Sequence, residues 1–275
     1  MCRVLDLNRS TYYKDSKRKP TKTQIDNNEL DSKILKVYYD SKRRYGAPKI
    51  FKVLRNDGES ASLKRIQRRM TILGIKSVVV KKYKPVKAEK NIEQKENILK
   101  QDFTTTSINQ KWSTDITYIH TENEGWTYLA SVEDLYSRKI IGWAFGKTID
   151  AELAVKALKN AALNVKHTEG IIIQSDLGCQ YTSNLFESAL AELKIRHSYS
   201  KKGYPYDNSC IESFHSVLKK EEVNLRKYKD SKAAYDAIFE YIESWYNRKR
   251  IHSSLNYRTP EAVYSECEDP VIKSV

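Results

Sequence analysis

Apolar residues recur at helical spacing from Ile25 to Tyr39, where Ile25, Leu30, Ile34, Leu35 and Tyr38 mark one face of a first helix. A break at Tyr45-Gly46-Ala47-Pro48 opens a second, with Ile50, Val53 and Leu54 inward, and Asn56-Asp57-Gly58 stops it. Ser62 is read as the N-cap of a third helix that ends at Leu73-Gly74. Its inner face is expected to be Leu63, Ile66, Met70 and Leu73, and its outer face Lys64, Arg65, Arg68 and Arg69. Beyond residue 108 the pattern shortens to strands at 112–120, 126–135 and 139–147, with turn signals at Asn123-Glu124-Gly125 and Ser137-Arg138. Asp150 caps a helix running to Leu163. A strand at 170–174, a helix at 184–193, a strand at 195–199 and closing helices at 207–223 and 233–247 complete the pattern. A meander followed by helix, strand, helix, strand and helix predicts an α/β fold, a mixed five-stranded sheet flanked by helices, behind a small all-α unit.

This pattern divides the chain into an N-terminal segment 1–24, a helical unit 25–76, a linker 77–108, a main domain 109–265 and a tail 266–275. Within the first segment, VLDLNRSTYY resembles the last piece of a small helical unit. Charge follows the same division. Residues 1–100 hold 27 Lys and Arg against 11 Asp and Glu, a net of +16, whereas residues 101–275 hold 22 against 24, a net of −2. Helix, Gly-containing turn and a helix with a cationic outer face is the pattern of a helix-turn-helix DNA reader. Four like charges on one short helix repel one another unless phosphate neutralises them. A solvated basic bundle face is the plainer alternative. The linker adds Lys81, Lys82, Lys84, Lys87 and Lys90, which are either solvated or track a DNA backbone.

The cysteines at 2, 179, 210 and 267 form no C-x-x-C pair and no zinc spacing, and a disulfide framework is not expected. No apolar run approaches the roughly 20 residues of a membrane helix, and no secretory leader is legible. These features predict a cytoplasmic protein without a membrane partner.

Three acids carry the candidate chemistry. Asp176 falls just past the β-branched run Ile171–Ile173, and Asp115 sits in the strand-like QKWSTDITYIH. Glu212 lies on a helix expected to be capped near Asp207. Carboxylates brought together from two strands and a helix offer hard oxygen ligands to Mg²⁺. Two such ions roughly 3.5–4 Å apart can bind the attacking and leaving oxygens of an in-line phosphoryl displacement. Each acid taken alone is as readily a solvated or capping carboxylate.

Five ordered motifs add a resemblance: W-S-T-D-I-T-Y-I, D-L-Y-S-R-K-I-I-G-W, Q-S-D-L-G-C-Q-Y-T-S, D-N-S-C-I-E-S-F-H-S-V-L-K-K-E and Y-I-E-S-W-Y-N-R-K-R-I-H-S-S-L-N-Y-R-T-P-E. From about Ile25 to Pro260 the chain resembles the retroviral-integrase-type transposases of bacterial insertion sequences, in their second-frame (OrfB-type) form. Thirty-five residues separate Asp176 from Glu212, the spacing that marks that group. The resemblance implies a ribonuclease-H-like integrase core with Asp115, Asp176 and Glu212 as catalytic, metal-holding acids and two Mg²⁺ or Mn²⁺ ions. It implies a DNA transposase that cuts element ends and transfers strands to target DNA. Lys219, seven residues after Glu212 and on the same helical face, is expected to contact the DNA end.

Arg250 is a further candidate for DNA contact, with Lys64, Arg65, Arg68 and Arg69 in the helical unit. Asp134 and His215 are candidates for a supporting place beside the metals, although Asp134 is also read as a turn cap or a partner of Arg138. The resemblance implies a homo-oligomer on DNA and a segment supplied from an upstream frame, as partner or fusion. The alternatives are a non-catalytic DNA-binding regulator or domesticated remnant, and another ribonuclease-H-like nuclease.

Overall fold

The computed structural model describes Ser10 and residues 19–78, 96–200 and 207–268. Contacts divide the chain into two compact units, Met1–Val78 and Val79–Val275. The lysines at 81, 82, 84, 87 and 90 lie outside the described residues, as does most of the N-terminal segment.

In the first unit, helices α1 (Lys22–Asp40), α2 (Ala47–Asn56) and α3 (Leu63–Ile72) enclose a small core. Helix α1 starts three residues earlier than its apolar spacing predicts, because Thr21 and Gln24 form a reciprocal capping box. Ser62 caps α3 as expected by accepting from the Arg65 N–H. Leu30, Ile34, Tyr38, Ile50, Leu54, Ile66 and Met70 are buried, each contributing roughly 1.5–3 kcal/mol where it is fully withdrawn from water.

The expected outer face of α3 is corrected. Arg65 donates to Asn27 Oδ1 at 2.9 Å, and Arg69 makes a two-pronged ion pair with the Asp31 carboxylate. Of the four cations, Lys64 and Arg68 remain on the solvent side. Repulsion along α3 is relieved by an acid on α1, a partner that reading α3 alone does not reveal.

The second unit is built on a five-stranded sheet of order β3-β2-β1-β4-β5. Strands β1 (Lys111–Thr121), β2 (Gly125–Asp134) and β3 (Ile140–Gly146) form an antiparallel meander. β4 (Ile172–Ser175) and β5 (Arg196–Tyr199) continue it in parallel from β1. Helices α4 (Ala151–Leu163) and α5 (Asn184–Glu192) cover one face. Trp112, Ala130, Val132, Ile173, Leu158 and Phe186 meet there in a single core cluster.

Gly142 sets the depth of that packing. A Cβ at this position would come within 2.3 Å of the Ala161 backbone nitrogen and 2.6 Å of the Ala157 carbonyl oxygen. With Ala154, Ala157 and Ala161 on its buried side, α4 lies directly on β3.

Strand residues of the opposite parity face α6 (Ser209–Glu221) and α7 (Ser231–Phe239). The closing helix expected at 233–247 is not one regular α-helix. It widens into a π-helical stretch over Glu240–Tyr246, at the residues that converge on Glu221. A final helix, α8, spans Pro260–Glu268.

Candidate active site

Asp115 and Asp176 reach the same end of the sheet through strand register. β1 and β4 pair in parallel at Lys111↔Ile172, Trp112↔Ile173 and Ser113↔Gln174. Continuing that register by two residues sets Asp115 level with Asp176, one residue beyond the end of β4. Their electrostatics agree with this placement. Surrounding protein raises the pKa of Asp176 above the ordinary carboxylate value, and the charge of Asp115 raises it further. The Gly178 N–H opposes both by donating to Asp176 Oδ1 at 2.9 Å.

Gly178 leaves open the space beside that carboxylate. A Cβ on Gly178 would stand 2.9 Å from Asp176 Oδ1 and 2.9 Å from Gln180 Oε1. Beneath it, the buried Tyr181 hydroxyl pairs with Thr114 Oγ1 at 3.2 Å. Burial and the nearby Asp115 keep that phenol protonated.

Asp115 is oriented from two sides. Its Oδ1 accepts from the Ile116 N–H at 2.8 Å, and its Oδ2 lies 3.3 Å from His215 Nδ1. His215 Nε2 is 3.3 Å from Ser131 Oγ, directly across the β1–β2 ladder from Asp115. His215, a supporting candidate in the sequence, therefore touches a predicted acid. Asp134 is engaged by the turn that follows β2. It accepts from the Ser137 N–H and hydroxyl at 2.8 and 2.6 Å and from the Asn109 N–H at 2.8 Å, the turn-capping alternative.

Glu212 is exposed on the first turn of α6. The expected side-chain cap is not made there. Asn208, at the N-cap position, instead accepts from Ser113 Oγ at 2.7 Å and donates to the Thr114 carbonyl at 3.3 Å. It thus ties the start of Glu212's helix to the two residues before Asp115. Its place in D-N-S, immediately ahead of the helix, suggests a cap, and nothing in the sequence reveals the partner on β1. Among the described residues, no group of three His, Cys, Asp or Glu side chains stands in a geometry that could hold a metal ion. Asp115 and Asp176 are two hard oxygen donors whose charges oppose each other, and that donor chemistry suits a divalent cation.

Lys219 lies two turns beyond Glu212 on α6, with its Nζ 5.6 Å from the Tyr118 ring centroid. Arg250 corrects the expectation of a DNA-facing cation. It is buried, and its guanidinium bonds both oxygens of Glu221 at 3.0–3.1 Å.

The comparisons agree with this architecture. Residues 105–205 and 193–260 match integrase core domain families, and residues 25–83 match an HTH-like domain family. The chain is 37% identical to the transposase for insertion sequence element IS904 of Lactococcus lactis, over 89% of this chain and 96% of that protein. It is 37% identical to the transposase InsF for insertion sequence IS3A of Escherichia coli, over 95% of this chain and 91% of that protein. Among solved structures, the catalytic core domain of BIV integrase aligns with TM-score 0.44 at 18% identity, covering 60% of this chain and 99% of that one. With its helical front unit, its integrase core and relatives this similar across nearly their whole length, the chain belongs to the IS3-family transposases of bacterial insertion sequences.

Proposed function

We propose that the protein cleaves DNA at the ends of its own mobile element and joins the freed 3′-hydroxyl to target DNA, with Asp115, Asp176 and Glu212 as its catalytic acids. The observation that carries this reading is the parallel β1–β4 pairing, whose register continued by two residues brings Asp115 level with Asp176 just past β4, where the charge of Asp115 raises the pKa of Asp176. Asp115 and Asp176 would hold Mg²⁺ or Mn²⁺, and Glu212 would complete a two-ion site. When bound, the ions supply charge stabilisation for the attacking and leaving oxygens. The chain's own part is to aim these carboxylates. His215 steadies Asp115, the Gly178 N–H steadies Asp176, and Asn208 fixes the start of the helix bearing Glu212.

Lys219 is assigned to the DNA end, and the exposed Lys64 and Arg68 to phosphates at the helical unit. Joining two element ends calls for at least two copies, and a segment from an upstream frame completes end recognition. The reaction is placed on bacterial DNA in the cytoplasm. No helix among the described residues is long and apolar enough to cross a membrane. The test is strand transfer in vitro with element-end DNA and Mg²⁺. Wild-type protein should form joined products, and Asp176→Asn or Glu212→Gln should abolish them. Normal transfer by either variant would sink the assignment.

A further inference from the structure

The tip of the β1–β2 hairpin carries aromatic surface that the fold does not need. Tyr118 is 53% exposed and Trp126 58% exposed. Their rings meet edge to face at 6.3 Å between centroids, and His120 adds a third ring 5.0 Å from Trp126. Together with Lys219, Arg226 and Lys227 they line an open cavity of about 460 Å³. Arg226 and Lys227 are solvent-exposed in the turn that follows α6, where Arg226 also pairs with Glu222 Oε1 at 3.0 Å. That turn is tied to the hairpin, since the Glu122 and Asn123 N–H groups donate to the Tyr228 and Lys229 carbonyls at 2.8 and 3.0 Å. The walls of the cavity are therefore fixed by backbone hydrogen bonds.

Two contacts set where this cavity lies relative to the acids. His215 meets Asp115, and one helical turn later Lys219 meets Tyr118, so α6 runs beside β1 in the same direction. Tyr118 is three strand residues beyond Asp115, about 10 Å along β1, and by strand alternation its ring leaves the face opposite to the Asp115 carboxylate.

We propose that Tyr118 and Trp126 form a stacking site for unpaired DNA bases, with Lys219, Arg226 and Lys227 flanking it for the phosphates of the same strand. Exposed aromatic faces beside cations match the chemistry of single-stranded nucleic acid, whose bases present π faces and whose backbone is anionic. A duplex keeps its bases stacked internally and would leave these rings unused. The site rests on the DNA-processing reading above, and adds to it a place where unpaired bases of the bound DNA are held.

The full chain should be titrated in EDTA, where cleavage is absent, against three labelled duplexes: one with a short single-stranded oligothymidine extension, its abasic counterpart, and a blunt form. Wild-type protein should prefer the base-bearing extension. Tyr118→Ala and Trp126→Ala should each weaken that binding roughly 5- to 100-fold, with abasic and blunt DNA unchanged. Tyr118→Phe and Trp126→Tyr should retain the preference. Equal wild-type affinity for base-bearing and abasic extensions would overturn the site, as would alanine variants that weaken all three DNAs alike. A parallel Mg²⁺ cleavage assay separates the two readings. Preference without cleavage unseats strand transfer and leaves the stacking site standing, whereas cleavage without preference removes the stacking site alone.

Discussion

Arg250 and Glu221 form a buried ion pair in which Nε reaches both carboxylate oxygens at 3.1 Å and Nη2 reaches Oε1 at 3.0 Å. The Tyr241 hydroxyl and Trp245 indole N–H donate to the same carboxylate at 3.0 and 3.2 Å. One acid at the end of α6 thus organises the π-helical stretch and the turn beyond it. Arg250→Ala would leave a buried carboxylate without its counter-charge, and should destabilise the protein by about 3–5 kcal/mol. Urea unfolding measures this directly. An Arg250→Ala protein of wild-type stability but weakened DNA affinity would return Arg250 to the DNA-facing role that the sequence suggests.

Asn208 should matter to stability and activity together. Asn208→Ala strands the Ser113 hydroxyl and the Thr114 carbonyl, at a cost of about 1–3 kcal/mol. It also frees the start of α6 from β1, and strand transfer should fall by more than the loss of folded protein accounts for. Activity per folded molecule at a temperature well below the melting point separates the two effects. Unchanged specific activity would mean that Glu212 needs no such anchor.

Gly178 separates activity from folding more cleanly. An alanine there would press on the Asp176 carboxylate and on the Gln180 side chain, both free ends that can swing aside. Stability should change by under about 1 kcal/mol, as for a surface site, while strand transfer falls at least tenfold because Asp176 is displaced. A Gly178→Ala enzyme with wild-type rate would show that the turn around Asp176 adapts freely.

His215 supplies a test that does not depend on the helix anchor. Partners that orient a metal-holding residue typically affect metal affinity or activity by about 10- to 100-fold when removed. His215→Ala should therefore raise the Mg²⁺ concentration needed for half-maximal transfer, with little change in DNA affinity. An unaltered Mg²⁺ dependence would reduce His215 to packing.

Local chemistry explains how far the chain could be read in advance. The strands and helices of the core were legible because Ile171–Ile173, the Asp150 cap and the Ser62 cap are short-range signals. Asp115 and Asp176 drew attention because one stands in a strand and the other just past one, each with a motif around it. Arg69 and Arg250 misled for one shared reason. Each is cationic and sits where solvent or phosphate would suit it, but each is claimed by a partner at least 29 residues away, Asp31 and Glu221; Asn208, which drew no reading, is likewise tied to the distant Ser113. Sequence spacing along one element carries no information about such partners. The π-helical turn was hidden similarly, since Glu240–Tyr246 has ordinary helical composition and its widening accompanies convergence on Glu221.

Glu133 is the acid that neither spacing nor motif singled out, and it sets a pH dependence. It is buried on β2, its Oε2 has no hydrogen-bond partner among the described residues, and it lines a cavity of about 230 Å³ with Arg138, Cys210, Tyr246 and His252. Burial pushes its pKa up to about 8, Arg138 pulls it down and Asp134 adds to the rise. Because the folded value exceeds the ordinary 4.5, the folded chain keeps a proton between those pH values that the unfolded chain has lost. The stability this group contributes is therefore full below about 4.5, declines as pH rises towards about 8, and is level beyond it. Glu133→Gln keeps the neutral shape at every pH and removes that decline. Urea unfolding of both proteins should give similar stabilities near pH 4, and an advantage to the Gln variant on the order of a few kcal/mol near pH 9. A gap that stays constant across that range would mean that Arg138 holds Glu133 ionised throughout.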